Sequence, residues 1–203
     1  MIVLGLTGSI GMGKTTVARM MGDMGIPCHD ADAAVHALLG PNGGAVKSVG
    51  EIFPDVIENT DPPGGPYVNR QKLGQIVFQD DDELKKLEAI LHPLTIDASR
   101  EFIEDCRSKD LEFALLDIPL LFETGGQNRV DVTLCVTAKA ETQRARVLAR
   151  PNMTVEKFEQ ILARQMPDAK KRELSDYIIH TDVSMDDTHD QIVTILDEIR
   201  KNR

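Results

Sequence analysis

Eight residues near the start of the chain, Gly8-Ser9-Ile10-Gly11-Met12-Gly13-Lys14-Thr15, follow the pattern G-x-x-x-x-G-K-T. Each fixed position has a physical task. The glycines open backbone conformations closed to other residues, so successive N–H groups can converge on phosphate oxygens at a helix N-terminus. Because backbone groups do that binding, Met12 is tolerated inside the turn, and Gly11, Met12, Gly13, Lys14, Thr15 and Thr16 together form the expected cradle. Lys14 is the group to reach the β- and γ-phosphates of a bound nucleotide, and the Thr15 hydroxyl is placed to ligate Mg²⁺. The chemistry implied is capture of a nucleoside triphosphate and movement of its terminal phosphoryl group.

Such chemistry needs carboxylates, and two stretches supply them where apolar runs end. Asp30-Ala31-Asp32 follows Ile26-Pro27-Cys28-His29, which reads as a short second strand. Ligands of doubly wound sheets gather at the carboxyl ends of strands, so both aspartates are placed to meet a substrate. One of them can instead cap the helix that follows; Asp30 suits capping and Asp32 suits chemistry. His36 lies four residues beyond Asp32 on the same helix face, as a substrate contact or as an ordinary surface histidine. Asp117 closes the apolar run Phe113-Ala114-Leu115-Leu116, either as a partner of Mg²⁺ or as a cap of the turn before Pro119.

The elements that must position these groups read as alternating strands and helices. Ile2-Val3-Leu4 leads into the glycine loop, and Val17, Met20, Met21 and Met24 recur at helical spacing behind it. Further strands fall at Val132–Val136 and at Asp176–His180, which makes five with the runs ending at Asp30 and Asp117. Ser184-Met185-Asp186-Asp187 opens a final helix whose buried stripe is Ile192, Ile195, Leu196 and Ile199. Between Gly40 and Pro66 the signal is weak, and Thr60-Asp61-Pro62-Pro63-Gly64-Gly65-Pro66 reads as a surface loop. From Arg70 to Cys106 the pattern is helical, with stripes Leu73, Ile76, Val77 and Leu84, Leu87, Ile90, Leu91. His92-Pro93 is expected to break it and to start a new helix with proline in its first turn.

Composition bounds the partners. The chain has 203 residues, 41% hydrophobic but only 4% aromatic, with no Trp, so aliphatic side chains and Met must fill the core. A net charge of -10 argues against a general duplex-DNA binder or a membrane-surface protein, which want a broad basic face. Cys28, Cys106 and Cys135 are widely spaced and lack the C-x-x-C pairing of a zinc site, so reduced thiols in a cytoplasmic protein are expected. No apolar run approaches the length of a membrane span, and the N-terminus lacks the features of a signal peptide.

Charge is uneven, however. From Lys139 to Arg172 nine Lys or Arg stand against four Asp or Glu. A helix from about Glu141 to Arg150 carries Arg146 and Arg150 on one face, and Thr154 is a good N-cap for a second, with Phe158, Ile161 and Leu162 as its apolar side. Two arginine-studded helices joined by a short turn suit a lid over a triphosphate, since planar guanidinium groups hold phosphoryl oxygens as charge redistributes. A solvated helical face is the plainer alternative, and Lys170, Lys171 and Arg172 are assigned to it.

With these pieces in place, the chain resembles the dephospho-coenzyme A kinase family. The resemblance rests on the ordered set Gly5–Val17, Asp30-Ala31-Asp32, Arg70-Gln71-Lys72-Leu73, Leu91-His92-Pro93-Leu94, Ile118-Pro119-Leu120-Leu121-Phe122-Glu123 and Arg164-Gln165-Met166. It implies transfer of the ATP γ-phosphoryl to the ribose 3′-hydroxyl of dephospho-coenzyme A, with Mg²⁺ as cofactor and ATP as co-substrate. The fold it implies is α/β, a P-loop NTPase-type five-stranded parallel sheet flanked by helices, as one kinase unit. Its parts would be a core of residues 1–30, 110–140 and 173–203, a helical substrate-binding region over 31–109 and a lid over 141–172.

By the same resemblance Asp32 accepts or orients the hydroxyl proton; from the residues themselves, Lys14 and Arg146 are expected to assist transfer, Arg150 to bind ATP, and His36 and His92 to contact the acceptor. Partners would be ATP and dephospho-coenzyme A alone, with neither nucleic acid nor membrane, in a monomer or small homo-oligomer. One departure stands out. Where relatives often carry Asn and Gly after the fifth strand, this chain has Thr181-Asp182-Val183, which unsettles the usual adenine contacts there.

Overall fold

The computed structural model describes residues 1–60 and 64–202, so Asp61, Pro62 and Pro63 of the expected surface loop lie outside the described residues. The chain divides into two compact units, residues 1–29 with 106–203, and residues 30–105.

The first unit is built on a five-stranded parallel sheet. Its strands are β1 (Ile2–Thr7), β2 (Cys28–Asp30, whose last residue is counted with the second unit), β5 (Phe113–Asp117), β6 (Val132–Thr137) and β7 (Tyr177–His180), in the order β2-β5-β1-β6-β7. β1 pairs in parallel with both β5 and β6, and β6 with β7. All six residues of β1 are buried, as expected of a central parallel strand covered on both faces. Ile2, Leu4 and Leu6 point to one face, where they meet Val17 and Met21 of α1 (Lys14–Asp23) and Ile192, Ile195, Leu196 and Ile199 of α9 (Met185–Lys201). A fully buried Leu is worth roughly 1.5–3 kcal/mol, so this layer is the main support of the sheet. On the other face a Cβ at Gly5 would sit 3.0 Å from Val130 and 3.3 Å from Leu121, so the connection after β5 packs flat against the strand.

Three more helices belong to this unit: α6 (Ala140–Leu148), α7 (Val155–Arg164) and α8 (Asp168–Leu174). Thr154 caps α7 by accepting from Lys157 N, and Ser184 caps α9 by accepting from Asp187 N, as their sequence positions predict.

The second unit is mostly helical. It holds α2 (Ala31–Leu39), α3 (Val46–Ile52), a small antiparallel pair of β3 (Ile57–Asn59) with β4 (Pro66–Val68), α4 (Arg70–Val77) and nearly all of α5 (Asp81–Ser108). Leu39, Val46, Val49, Phe53, Val68, Leu73 and Leu87 form its own apolar core. The β3–β4 pair was not visible in the sequence, where strands of three residues leave no periodic signal. Ile76, grouped with the buried stripe of α4, is in fact exposed.

The expected break at His92-Pro93 does not occur: α5 is one helix of 28 residues with Pro93 inside it. Proline in a helix removes one N–H bond and crowds the carbonyl four residues earlier, at a cost of about 3 kcal/mol. Pro93 and Ala89, the residue whose carbonyl loses that bond, are both exposed, so water can satisfy the carbonyl. Leu84, Leu87, Ile90 and Leu91 before the proline and Leu94 after it pack on the same core, which holds the helix together across it.

Candidate active site

The glycine loop leaves β1 at Thr7 and ends where α1 begins, and its shape is dictated by contacts on all sides. Gly11 and Gly13 have φ of 79° and 94°, a left-handed region where other residues are strained. A Cβ at Gly8 would come within 2.7 Å of the Val136 carbonyl, and one at Gly11 would collide with the Val147 side chain. Gly13 is the N-cap of α1 and offers its first amides no side chain, and no acidic residue stands in the first turn. A helix N-terminus left bare in this way carries partial positive charge and N–H groups that suit an anion.

Lys14 and Asp117 meet in this unit as an ion pair, both largely buried. The register Leu6↔Asp117 brings them together, since it sets the end of β5 beside the end of β1, where the loop starts. The Thr15 side chain is exposed. Mg²⁺ commonly takes one or two protein oxygens and completes its shell with phosphate oxygens and water. A hydroxyl on an exposed threonine and a carboxylate at the adjacent strand end fit that donor set, and among the described residues no three His, Cys, Asp or Glu side chains form a cage for a metal.

Groups from α6 and the segments after α7 and β7 grip the loop. Gln143 Nε2 donates to the Ile10 carbonyl at 2.8 Å, and the Ile10 N–H donates to Gln165 Oε1 at 3.0 Å. Both sides of one peptide position are thus taken. Met12 is buried, and its Sδ accepts from Ala138 N at 3.1 Å, so its side chain serves packing while its backbone stays in the loop. Arg146, also on α6, donates from Nη1 to Thr181 Oγ1 at 2.9 Å and from Nη2 to the Thr181 carbonyl at 2.6 Å. Arg150 is exposed and makes no ion pair among the described residues.

Lys171 corrects its assignment to surface charge. Its side chain is 0% exposed, and Nζ donates to the Pro119 carbonyl at 2.8 Å, to Glu123 Oε1 at 2.9 Å and to Thr7 Oγ1 at 3.3 Å. An ammonium has three donors, and here each has an acceptor. Glu123 also accepts from Met166 N at 2.7 Å, so this pair fastens the segment after α7 to the connection after β5. Nothing in the Lys-Lys-Arg run distinguishes the middle residue; its acceptors lie 48 to 164 residues away in the chain. Thr181 and Gln165 were likewise visible only as residues of a pattern, with no hint of what they bond.

The acceptor-side candidates belong to the second unit. Asp30 caps α2, its Oδ1 accepting from Ala33 N at 3.0 Å, and Asp32 is exposed in the first turn. His36 is exposed one turn on and lines a cavity of about 460 Å³ with Leu39, Tyr67, Asn69 and Arg70. His92 is exposed in the middle of α5, where its carbonyl accepts from Thr95 Oγ1, and is not part of that lining. All three cysteines are outside disulfides, and burial pushes the Cys135 thiol up to about 12, so it stays protonated.

The family model for dephospho-CoA kinase matches residues 2–187. A dephospho-CoA kinase from Mesorhizobium japonicum is 48% identical over 203 residues, covering 100% of this chain and 99% of that relative. The crystal structure of TT1252 from Thermus thermophilus superposes with a TM-score of 0.78 at 32% identity, covering 97% of each chain. A dephospho-CoA kinase structure from Campylobacter jejuni shares the fold, with a TM-score of 0.72 at 24% identity over 98% of each chain. A glycine loop of this signature at the head of a five-stranded parallel sheet, in a chain matched along nearly its whole length, establishes that the protein belongs to the dephospho-CoA kinase family.

Proposed function

We infer that this chain transfers the γ-phosphoryl group of ATP to the ribose 3′-hydroxyl of dephospho-CoA, giving CoA and ADP in the last step of coenzyme A biosynthesis. What carries the reading is the bare Gly13 cap with Lys14 beside it, in a chain of this family. The first unit is the ATP-binding part, with segment 141–172 as its lid, and residues 30–105 are the acceptor-binding part. Gly11 to Thr16 hold the phosphates through backbone N–H groups and the Lys14 ammonium. Thr15 and Asp117 would hold Mg²⁺, which when bound neutralises phosphate charge.

Transfer of a phosphoryl group through a loose transition state leaves little covalent work for the protein. Positioning and charge stabilisation supply the rate. Lys14 and Arg146 face the charge on the transferring group, and Arg150, with no ion pair among the described residues, binds the nucleotide. Asp32 accepts or orients the hydroxyl proton; alignment matters as much as basicity in such a reaction. His36 and His92 contact the acceptor, His36 through the cavity it lines.

The substrates in this reading are two small molecules, with no nucleic acid or membrane involved, and the enzyme works as a monomer or small homo-oligomer. Among the described residues no helix is long and apolar enough to cross a membrane. Three cysteines outside disulfides suit the cytoplasm, where thiols stay reduced. The test is a turnover assay with ATP and Mg²⁺ against dephospho-CoA, shikimate and nucleoside monophosphates. Phosphorylation of dephospho-CoA alone is expected, and inactivity with it overturns the reading.

A further inference from the structure

The residue that follows β7 lies outside the loop signature, yet every polar group it has is engaged. Thr181 is 6% exposed. Its N–H donates to the Thr137 carbonyl at 2.9 Å, and its carbonyl accepts from Arg146 Nη2 at 2.6 Å. Its hydroxyl accepts from Arg146 Nη1 at 2.9 Å and donates to the Met12 carbonyl at 2.6 Å. A hydroxyl has a single proton; the Met12 carbonyl at 2.6 Å takes it over the Thr137 carbonyl at 3.4 Å, which directs it at the backbone of the glycine loop. The approach is close: a Cβ on Gly13 would lie 2.8 Å from Thr181 Oγ1.

The Met12–Gly13 peptide therefore has one face tied down. In a planar trans peptide the C=O and the following N–H point in opposite directions, so holding the Met12 carbonyl against Thr181 aims the Gly13 N–H away from it. That N–H is one of the loop amides that bind phosphate. Without the hydroxyl, the carbonyl would be left in a buried place with no donor among the described residues, and rotation of the peptide to find water would turn the amide with it. The same hydroxyl receives Arg146, so the loop and α6 are joined through one oxygen atom.

We propose that Thr181 is a positioning residue for ATP, its hydroxyl setting the orientation of the Met12–Gly13 peptide and seating the Arg146 guanidinium. The inference rests on the phosphoryl-transfer reading and adds a residue that acts through the loop. It also gives the departure at Thr181 a physical role: a side chain at that position serves the phosphate end of the nucleotide.

The experiment crosses two substitutions that separate hydroxyl from shape. Thr181→Val keeps the volume and removes the hydroxyl; Thr181→Ser keeps the hydroxyl and removes the methyl. For Thr181→Val the expected result is a rise of about tenfold in KM for ATP, with KM for dephospho-CoA within about twofold of the parent. Thr181→Ser is expected to stay within about threefold of the parent for both substrates. Calorimetric titration with a non-hydrolysable ATP analogue should show the same weakening for Val and not for Ser. The reverse order, Val silent and Ser harmful, marks a packing residue and overturns the proposal, as does an equal rise in both KM values. If thermal melting shows that Thr181→Val does not fold, Thr181→Ala takes its place with the same expected split. The calorimetric arm needs no acceptor, so a parent protein inactive toward dephospho-CoA would sink the substrate assignment without deciding this one.

Discussion

In the proposed reading the glycine loop and helix α2 carry the two halves of the chemistry, and they are built in opposite ways. In the loop, Ile10 is held on both sides by Gln143 and Gln165, Met12 by Thr181 and Ala138, and Lys14 by Asp117. These bonds join residues more than 100 positions apart in the chain. On α2, Asp32 and His36 are exposed, and the helix start is held by the local cap that Asp30 makes. The loop is thus preorganised by tertiary structure, whereas Asp32 and His36, the proposed acceptor contacts, make no side-chain bond among the described residues. A substitution in the loop should therefore act on nucleotide binding and chemistry together, and one on α2 on chemistry alone.

Breaking the loop at its charge gives the largest effect. Lys14→Ala should lower kcat/KM by about a thousandfold or more, because one ammonium serves the transferring phosphoryl group. A near-parental rate in a coupled ADP assay would remove Lys14 from the chemistry. Asp32→Asn probes the other half: kcat should fall about a hundredfold, in the range of a lost general base, with calorimetric affinity for ATP unchanged. Collapse of ATP affinity would place Asp32 with the nucleotide and erase the contrast.

Lys171→Met tests whether the support behind the loop is structural. Removing one partner of a buried ion pair costs about 3 kcal/mol, which for a chain of this size is a fall in Tm of roughly 6–12 °C by calorimetry or circular dichroism. An unchanged Tm would show that the pair contributes no stability. The smallest effect belongs to the second unit. Lys72, Tyr67 and Asn69 all bond the Glu58 carboxylate, which holds it down from 4.5 to about 2. A depressed carboxylate contributes stability that is fully present above its unfolded value and is lost as pH falls through the folded one. Glu58→Gln should thus be less stable than the parent near neutrality, and the gap should close between pH 4.5 and about 2 in acid-unfolding curves. A gap that does not vary with pH would remove the charge from the account.

Much of this was readable from residue order. The loop signature is local, so it specifies its own turn and the start of α1 without help. Strands buried on both faces announce themselves as continuous apolar runs, and caps such as Asp30, Thr154 and Ser184 act within three residues. Pro93 misled because proline's effect depends on what flanks it; a core packed on both sides and solvent at the freed carbonyl let the helix continue. Lys171 misled because a lysine in a charged run looks solvated unless its acceptors are known.

What the chain order determined by itself was therefore everything whose partners lie within a turn or two: the phosphate loop, the strand and helix alternation, and the capped helix starts. Tertiary structure alone decided the strand order that sets Asp117 beside Lys14, the burial of Lys171 among Thr7, Pro119 and Glu123, and the link from Thr181 to Met12 and Arg146. The physical reason is one of range. Backbone conformation and capping are fixed by neighbours along the chain, but a hydrogen bond or an ion pair acts over a few ångströms of space, and only folding brings such groups that close.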